Sequence, residues 1–146
     1  MAESKQQIVI VGGGAAGIST AASVLRRRAN LHIAIIEPAD THYYQPGWTM
    51  VGGGIFDRAS TARPMRSVMP AGVQWIKQAV AEFAPEQNEV VLTNGDRVGY
   101  DILVAAPGIK LDWAGSKVSP RPSARMASHQ TTASTRRPTP GSLYRL

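Results

Sequence analysis

The chain has 146 residues, a length that suits one domain with a real core and is short for two ordinary ones. It contains no cysteine, which excludes disulfides, thiolate metal sites and dithiol redox chemistry carried by these residues. The formal charge of +6 arises wholly at one end: residues 1–113 hold ten Lys+Arg against ten Asp+Glu, whereas from Ala114 onward Lys117, Arg121, Arg125, Arg136, Arg137 and Arg145 stand with no acid.

Residues 1–7 are polar, without the apolar stretch of a signal peptide, and no run approaches the length of a membrane-spanning helix, so the sequence leaves the compartment open. Four β-branched residues then follow in a row (Ile8, Val9, Ile10, Val11), the pattern of a parallel strand buried on both faces. They lead into a Gly-x-Gly-x-x-Gly turn at Gly12, Gly14 and Gly17. In such a turn the first glycine permits the tight bend, the second lets the backbone approach a pyrophosphate and the third lets the next helix pack close. That helix presents free N–H groups and the positive end of its dipole to the phosphates.

Three fixed glycines arise by chance with a probability of about 0.1 in a chain this rich in glycine, so the neighbouring elements must decide. A helix pattern over residues 15–28 follows, with Ile18, Ala21, Ala22, Val24 and Leu25 apolar and Arg26, Arg27 and Arg28 at its end. Residues 31–37 read as a second strand, closed by Pro38, and Glu37 stands 20 residues beyond Gly17, where an acid holds a ribose 2′-hydroxyl. Together these features predict a dinucleotide site rather than a purely structural glycine turn.

Residues 41–55 show neither helical nor strand periodicity, yet include Tyr43, Tyr44, Pro46, Trp48 and four glycines. Flexible backbone beside large aromatic faces suits a planar ligand, and an aromatic plug under a loop is the alternative. His42 has no second ligand at metal spacing. Residues 57–69 read as a short helix, interrupted or begun at Pro64, and residues 70–72 as a turn. Residues 73–76 read as a short strand. Residues 77–83, 89–93 and 97–100 read as three antiparallel strands, the last two joined by Asn94-Gly95, a hairpin signal. Residues 101–108 read as a further buried strand ending in Pro107-Gly108 and returning to the central sheet. The segment 114–146, with six Ser, four Thr and four Pro, is expected to be a disordered tail after a domain of residues 1–113.

The order of strand, glycine turn, helix, strand ending in Glu37, meander and strand ending in Gly108 resembles the FAD domain of the two-dinucleotide-binding-domain flavoproteins. The implied fold class is α/β: a Rossmann-like FAD/NAD(P)-binding domain with a parallel sheet and an antiparallel three-stranded meander. Within that group, Glu37-Pro38, His42-Tyr43-Tyr44-Gln45-Pro46-Gly47-Trp48-Thr49, Val51-Gly52-Gly53-Gly54, Arg63-Pro64, the stretch Gly72 to Lys77 and the stretch Gly108 to Trp113 resemble the sulfide:quinone oxidoreductases. That resemblance implies FAD as cofactor, with Gly12, Gly14, Ala15, Ala16 and Gly17 on its pyrophosphate and Glu37 on its adenosine ribose. It also implies Gln45 along the cofactor, the Val80 backbone at the adenine, and Gly108 where the strand end meets FAD again. The chain departs from the pattern at Ala106-Pro107, where related flavoproteins place Ala-Thr, and at Ala16, often Gly.

The family further implies sulfide and quinone as partners, a peripheral membrane association, redox-active cysteines and a second dinucleotide-like domain. The last two do not occur in these 146 residues. A truncated or frame-shifted gene is therefore expected, with an evolved basic tail as the alternative, and the chain by itself is expected to be inactive. A different class of reading is a nucleotide-binding module whose basic tail contacts nucleic acid or anionic lipid. Six charges with no aromatic interleaving before Tyr144 make nucleic acid an unexpected partner. NADH is a further candidate ligand, because Glu37 would serve either ribose.

Overall fold

The computed structural model describes residues 4–110 and Asp112, so the segment from Ala114, read above as a disordered tail, lies outside the described residues, as does the boundary at residue 113. The described chain falls into two compact units. The first joins residues 4–43 to Ala62–Gly108, and the second contains Tyr44–Thr61.

The first unit is built on a six-stranded sheet in the order β5-β2-β1-β8-β7-β6, formed by β1 (Ser4–Val11), β2 (Ile33–Ile36), β5 (Val73–Ile76), β6 (Val80–Ala84), β7 (Glu89–Leu92) and β8 (Arg97–Ala105). Strands β5, β2, β1 and β8 run parallel, and β8, β7 and β6 antiparallel. A separate two-stranded ribbon pairs β3 (Thr41–Tyr43) with β4 (Ala62–Pro64).

Alternation along β1 explains why its run of branched residues is unbroken. Ile8 and Ile10 join Ile33 and Ile35 on the face covered by helix α1 (Ala15–Arg27), where Ala21 is fully buried and Ile18, Val24 and Leu25 pack alongside. Val9 and Val11 point the other way, into a cluster with Ile36, Val90, Leu92, Val98 and Tyr100. From Ile8 to Val11 the strand has a hydrophobic layer on each face and no position for a polar residue, whereas its first half, Ser4 to Gln7, is polar in sequence. Each fully buried branched side chain contributes about 1.5–3 kcal/mol relative to exposure, so the two layers provide the main restoring force of the unit.

The structure corrects four of the expectations above. Residues 41–55 are not irregular throughout: they hold β3, a 3-10 turn at Gln45–Gly47 and helix α2 (Trp48–Gly52), each shorter than the window in which a period can be read. The stretch 57–69 is not one helix. It comprises a 3-10 turn (Arg58–Thr61), strand β4, and helix α3 (Met65–Val68) with Pro64 as its N-cap. Proline disfavours helical backbone in the residue before it, which fits Arg63 to a strand paired with His42. The first meander strand begins at Val80 rather than at residue 77, and its register shifts between Val80 and Glu82. Residues 97–100 and 101–108 are not two strands: β8 runs unbroken from Arg97 to Ala105, with residues 97–99 paired with β7 and the stretch Val98 to Ala105 running along β1. Nor is its second half fully buried, for Ile102 is 56% exposed.

Candidate functional site: a clamped glycine turn

The turn that follows β1 is held by backbone on one side. Gly12 has φ +105°, and a side chain there would collide with the Ala106 carbonyl and approach the Pro107 Cα to 3.1 Å, so only glycine fits. The same approach is fixed by two hydrogen bonds, Gly12 N–H to the Ile36 carbonyl at 2.9 Å and Ala106 N–H to the Val11 carbonyl at 2.8 Å. A Cβ on Gly17 would strike the Gly12 carbonyl, so the third glycine closes the first turn of α1 onto the bend.

Gly14 differs from its neighbours. It is exposed, a Cβ built on it would meet nothing within 4 Å, and its φ of −73° is open to any residue. As N-cap of α1 it contributes no side-chain hydrogen bond, and the first turn carries no acid. The amides of Ala15, Ala16 and Gly17 have no partner within the helix, as in any helix first turn, and they carry the positive end of its dipole. A diphosphate fits this cradle: space in front of Gly14, donors behind it and no competing carboxylate cap.

Glu37 stands beside the turn at the end of β2. Its Oε2 accepts from the Gly13 N–H at 2.8 Å and its Oε1 from the Ala39 N–H at 2.8 Å. The carboxylate is thus aimed by two backbone donors, with further lone pairs on both oxygens for a ligand hydroxyl. Its own peptide is also tied down, since Trp75 Nε1–H donates to the Glu37 carbonyl at 2.8 Å and the Glu37 N–H donates to the Ile76 carbonyl at 3.0 Å.

Of the residues named from the sequence, Gly12, Gly14, Ala15, Ala16, Gly17, Glu37, Val80 and Gly108 all belong to the first unit, and Gln45, exposed in its 3-10 turn, belongs to the second. Val80 opens β6, the outer strand, and packs on the cluster that contains Val11 and Ile36. Gly108, at φ +75°, follows the Ala106-Pro107 backbone that lies against Gly12.

Sequence reasoning passed over three residues that build this turn. Gly13 fills an unspecified position of the motif, yet a Cβ on it would come to 2.7 Å from Glu37 Cγ and 3.2 Å from the Cε of Met65. Met65 is fully buried there. His42, only 7% exposed, places Nδ1 at 3.0 Å from the Gly13 carbonyl. The spacing of these residues gives no signal of the contact, which depends on the β3–β4 ribbon. Among the described residues no group of three or more His, Cys, Asp or Glu could hold a metal ion, and no helix is long and apolar enough to cross a membrane.

A family profile described as pyridine nucleotide-disulphide oxidoreductase matches residues 6–118, from β1 through the glycine turn to beyond Gly108. The chain belongs to the pyridine nucleotide-disulphide oxidoreductase family. This family is FAD-dependent. Among its members, the mitochondrial sulfide:quinone oxidoreductase of Dictyostelium discoideum is 44% identical over 108 residues, covering 73% of this chain and 24% of that protein. The mitochondrial sulfide:quinone oxidoreductase of Mus musculus is 40% identical over 119 residues, covering 82% and 26%. The solved sulfide:quinone oxidoreductase from Aquifex aeolicus shares the fold, with a TM-score of 0.62 at 24% identity over 74% of this chain and 25% of that one. The chain therefore spans about a quarter of the length of the curated relatives it matches. It corresponds to the Rossmann-like FAD-binding region of this oxidoreductase family.

Proposed function

We propose that this chain binds FAD and forms the FAD-binding part of a flavoprotein that oxidises sulfide and reduces quinone. The observation that carries the reading is the uncapped first turn of α1 behind the exposed Gly14, with the Glu37 carboxylate fixed beside it. In this reading the amides of Gly14, Ala15, Ala16 and Gly17 hold the pyrophosphate, and Gly12, whose own N–H is bonded to the Ile36 carbonyl, shapes the bend beneath it. Glu37 accepts from the adenosine ribose, Val80 offers backbone to the adenine, and Gln45 and Gly108 line the cofactor. When bound, FAD supplies the electron transfer. The chain's own residues bind and orient it.

The 146 residues contain no cysteine and so offer no thiolate to take up sulfur. The polypeptide by itself is accordingly proposed to bind FAD without catalysing sulfide-dependent quinone reduction. Titration with FAD, followed by flavin fluorescence, is expected to show saturable quenching. Glu37→Ala should weaken it by about 1–3 kcal/mol, the loss of charge-assisted hydrogen bonds. NADH should compete poorly; if NADH quenches protein fluorescence and FAD does not, the ligand assignment is wrong. Anaerobic addition of sulfide to the FAD-loaded chain should bleach the flavin no faster than it bleaches free FAD, and faster bleaching would overturn the proposed inactivity.

A further inference from the structure

We propose that His42 is a positioning residue for the dinucleotide turn, aiming the Gly14 N–H at the bound diphosphate by holding the carbonyl of Gly13; the diphosphate rests on the FAD reading above. Two consecutive peptides of the turn are gripped by side chains from different elements. The Gly12–Gly13 peptide donates its N–H to Glu37 Oε2 at 2.8 Å, and the Gly13–Gly14 peptide presents its carbonyl to His42 Nδ1 at 3.0 Å.

A carbonyl oxygen can only accept, so His42 Nδ1 carries the hydrogen and the donor role is fixed. A trans peptide is planar, with N–H and C=O antiparallel, so tethering the Gly13 carbonyl to a buried imidazole turns the Gly14 N–H away from the interior. Gly14 is the exposed N-cap at the mouth of α1, and a hydrogen directed outward there joins those of the helix first turn. Glycines supply no rotameric restraint of their own, which is why a bend of three of them needs an external hold. The hold comes from β3, whose central residue is His42, kept in place by pairing with Arg63 in β4. The ribbon after Pro38 thereby contributes to the site through the backbone rather than by touching ligand.

The test compares His42→Leu and His42→Asn in the full chain. Leucine and asparagine have nearly the same shape, and only asparagine keeps a donor near the Nδ1 position. FAD titration should show H42L weakened about tenfold, the scale of one buried acceptor left unpaired, and H42N within about threefold of wild type. The second readout needs no ligand: in 15N–1H spectra of the FAD-free chain, the Gly14 amide should move or broaden in H42L while that of Gly95, in the distant hairpin, does not. If H42L leaves both the Gly14 amide and FAD affinity unchanged, the proposal is overturned. Folded H42N that behaves like H42L overturns it too, because shape rather than the donor would then matter. Should H42L not fold, the Gly14 amide of H42N decides: a wild-type position supports the tether and a displaced one sinks it. A wild-type chain that fails to bind FAD, but whose Gly14 amide still responds to H42L, would refute the FAD reading and support the tether.

Discussion

Gly13 and Gly14 are adjacent and chemically identical, and the structure gives them opposite sensitivities. Gly13→Ala forces a methyl to within 2.7 Å of Glu37 Cγ, against a side chain whose two oxygens are already committed to backbone donors. It should cost about 1–3 kcal/mol in urea denaturation, the range of overpacking a filled site. Gly14→Ala meets open space at an ordinary φ and should denature like wild type, yet it should lose FAD affinity because its methyl enters the cradle. Glu37→Gln separates two roles of the carboxylate. A ribose contact alone would tolerate an amide, but one end of the amide must turn an NH2 toward the Gly13 or Ala39 N–H, so the variant should bind FAD no better than Glu37→Ala. The tight bend at Gly12, the close helix packing at Gly17 and the place of Glu37 at the end of β2 are visible in the sequence because each follows from spacing along one βαβ unit. Those of Gly13 and His42 are not, because their contact joins residues from separate elements.

At the scale of elements, legibility depended on period and on boundary residues. α1 occurs where its period puts it, and the short strands β2, β5 and β7 occur where the sequence puts them because Pro38, Gly72 and Asn94-Gly95 bound them. β3, β4, α2 and α3 have three to five residues apiece, and only Pro64 marked one of their boundaries. β8 was misread for another reason. Its first half alternates, burying Val98 and Tyr100 while Gly99 and Asp101 face away, and its second half, Ile102 to Val104, is apolar at every position. The pattern changes because the pairing changes: β7 pairs only with residues 97–99, and β1 runs along the strand from Val98 to Ala105. The two halves should respond differently to truncation. Tyr100→Ala removes a buried ring from the cluster around Val9 and should cost about 3 kcal/mol, whereas Ile102→Thr, on a side chain already more than half exposed, should stay within about 0.5 kcal/mol. Equilibrium unfolding of both variants checks the contrast.

For the molecule as a whole, a ligand that binds the folded chain and not the unfolded one adds stability by mass action, about 2.7 kcal/mol at a hundredfold excess over Kd. For a domain near 100 residues this corresponds to a rise in melting temperature of roughly 10 °C or more, which differential scanning fluorimetry would detect; no rise at saturating FAD would count against the proposed cofactor. The pairing of β1 with β8 carries a further consequence, for synthesis. Ser4 lies opposite Val98 and Val11 opposite Ala105, so the central strand, synthesised well before β8, receives one of its two neighbours only when the chain as far as Ala105 has emerged. β2 arrives early and can dock first. In the interval β1 exposes an open edge whose second half, Ile8 to Val11, is apolar, the kind of template on which nascent chains pair with one another, and long-range closure makes that interval slow to end. The dependence of soluble yield on chaperone supply and growth temperature should therefore be steep, and it should be relieved by slowing initiation rather than by adding ligand.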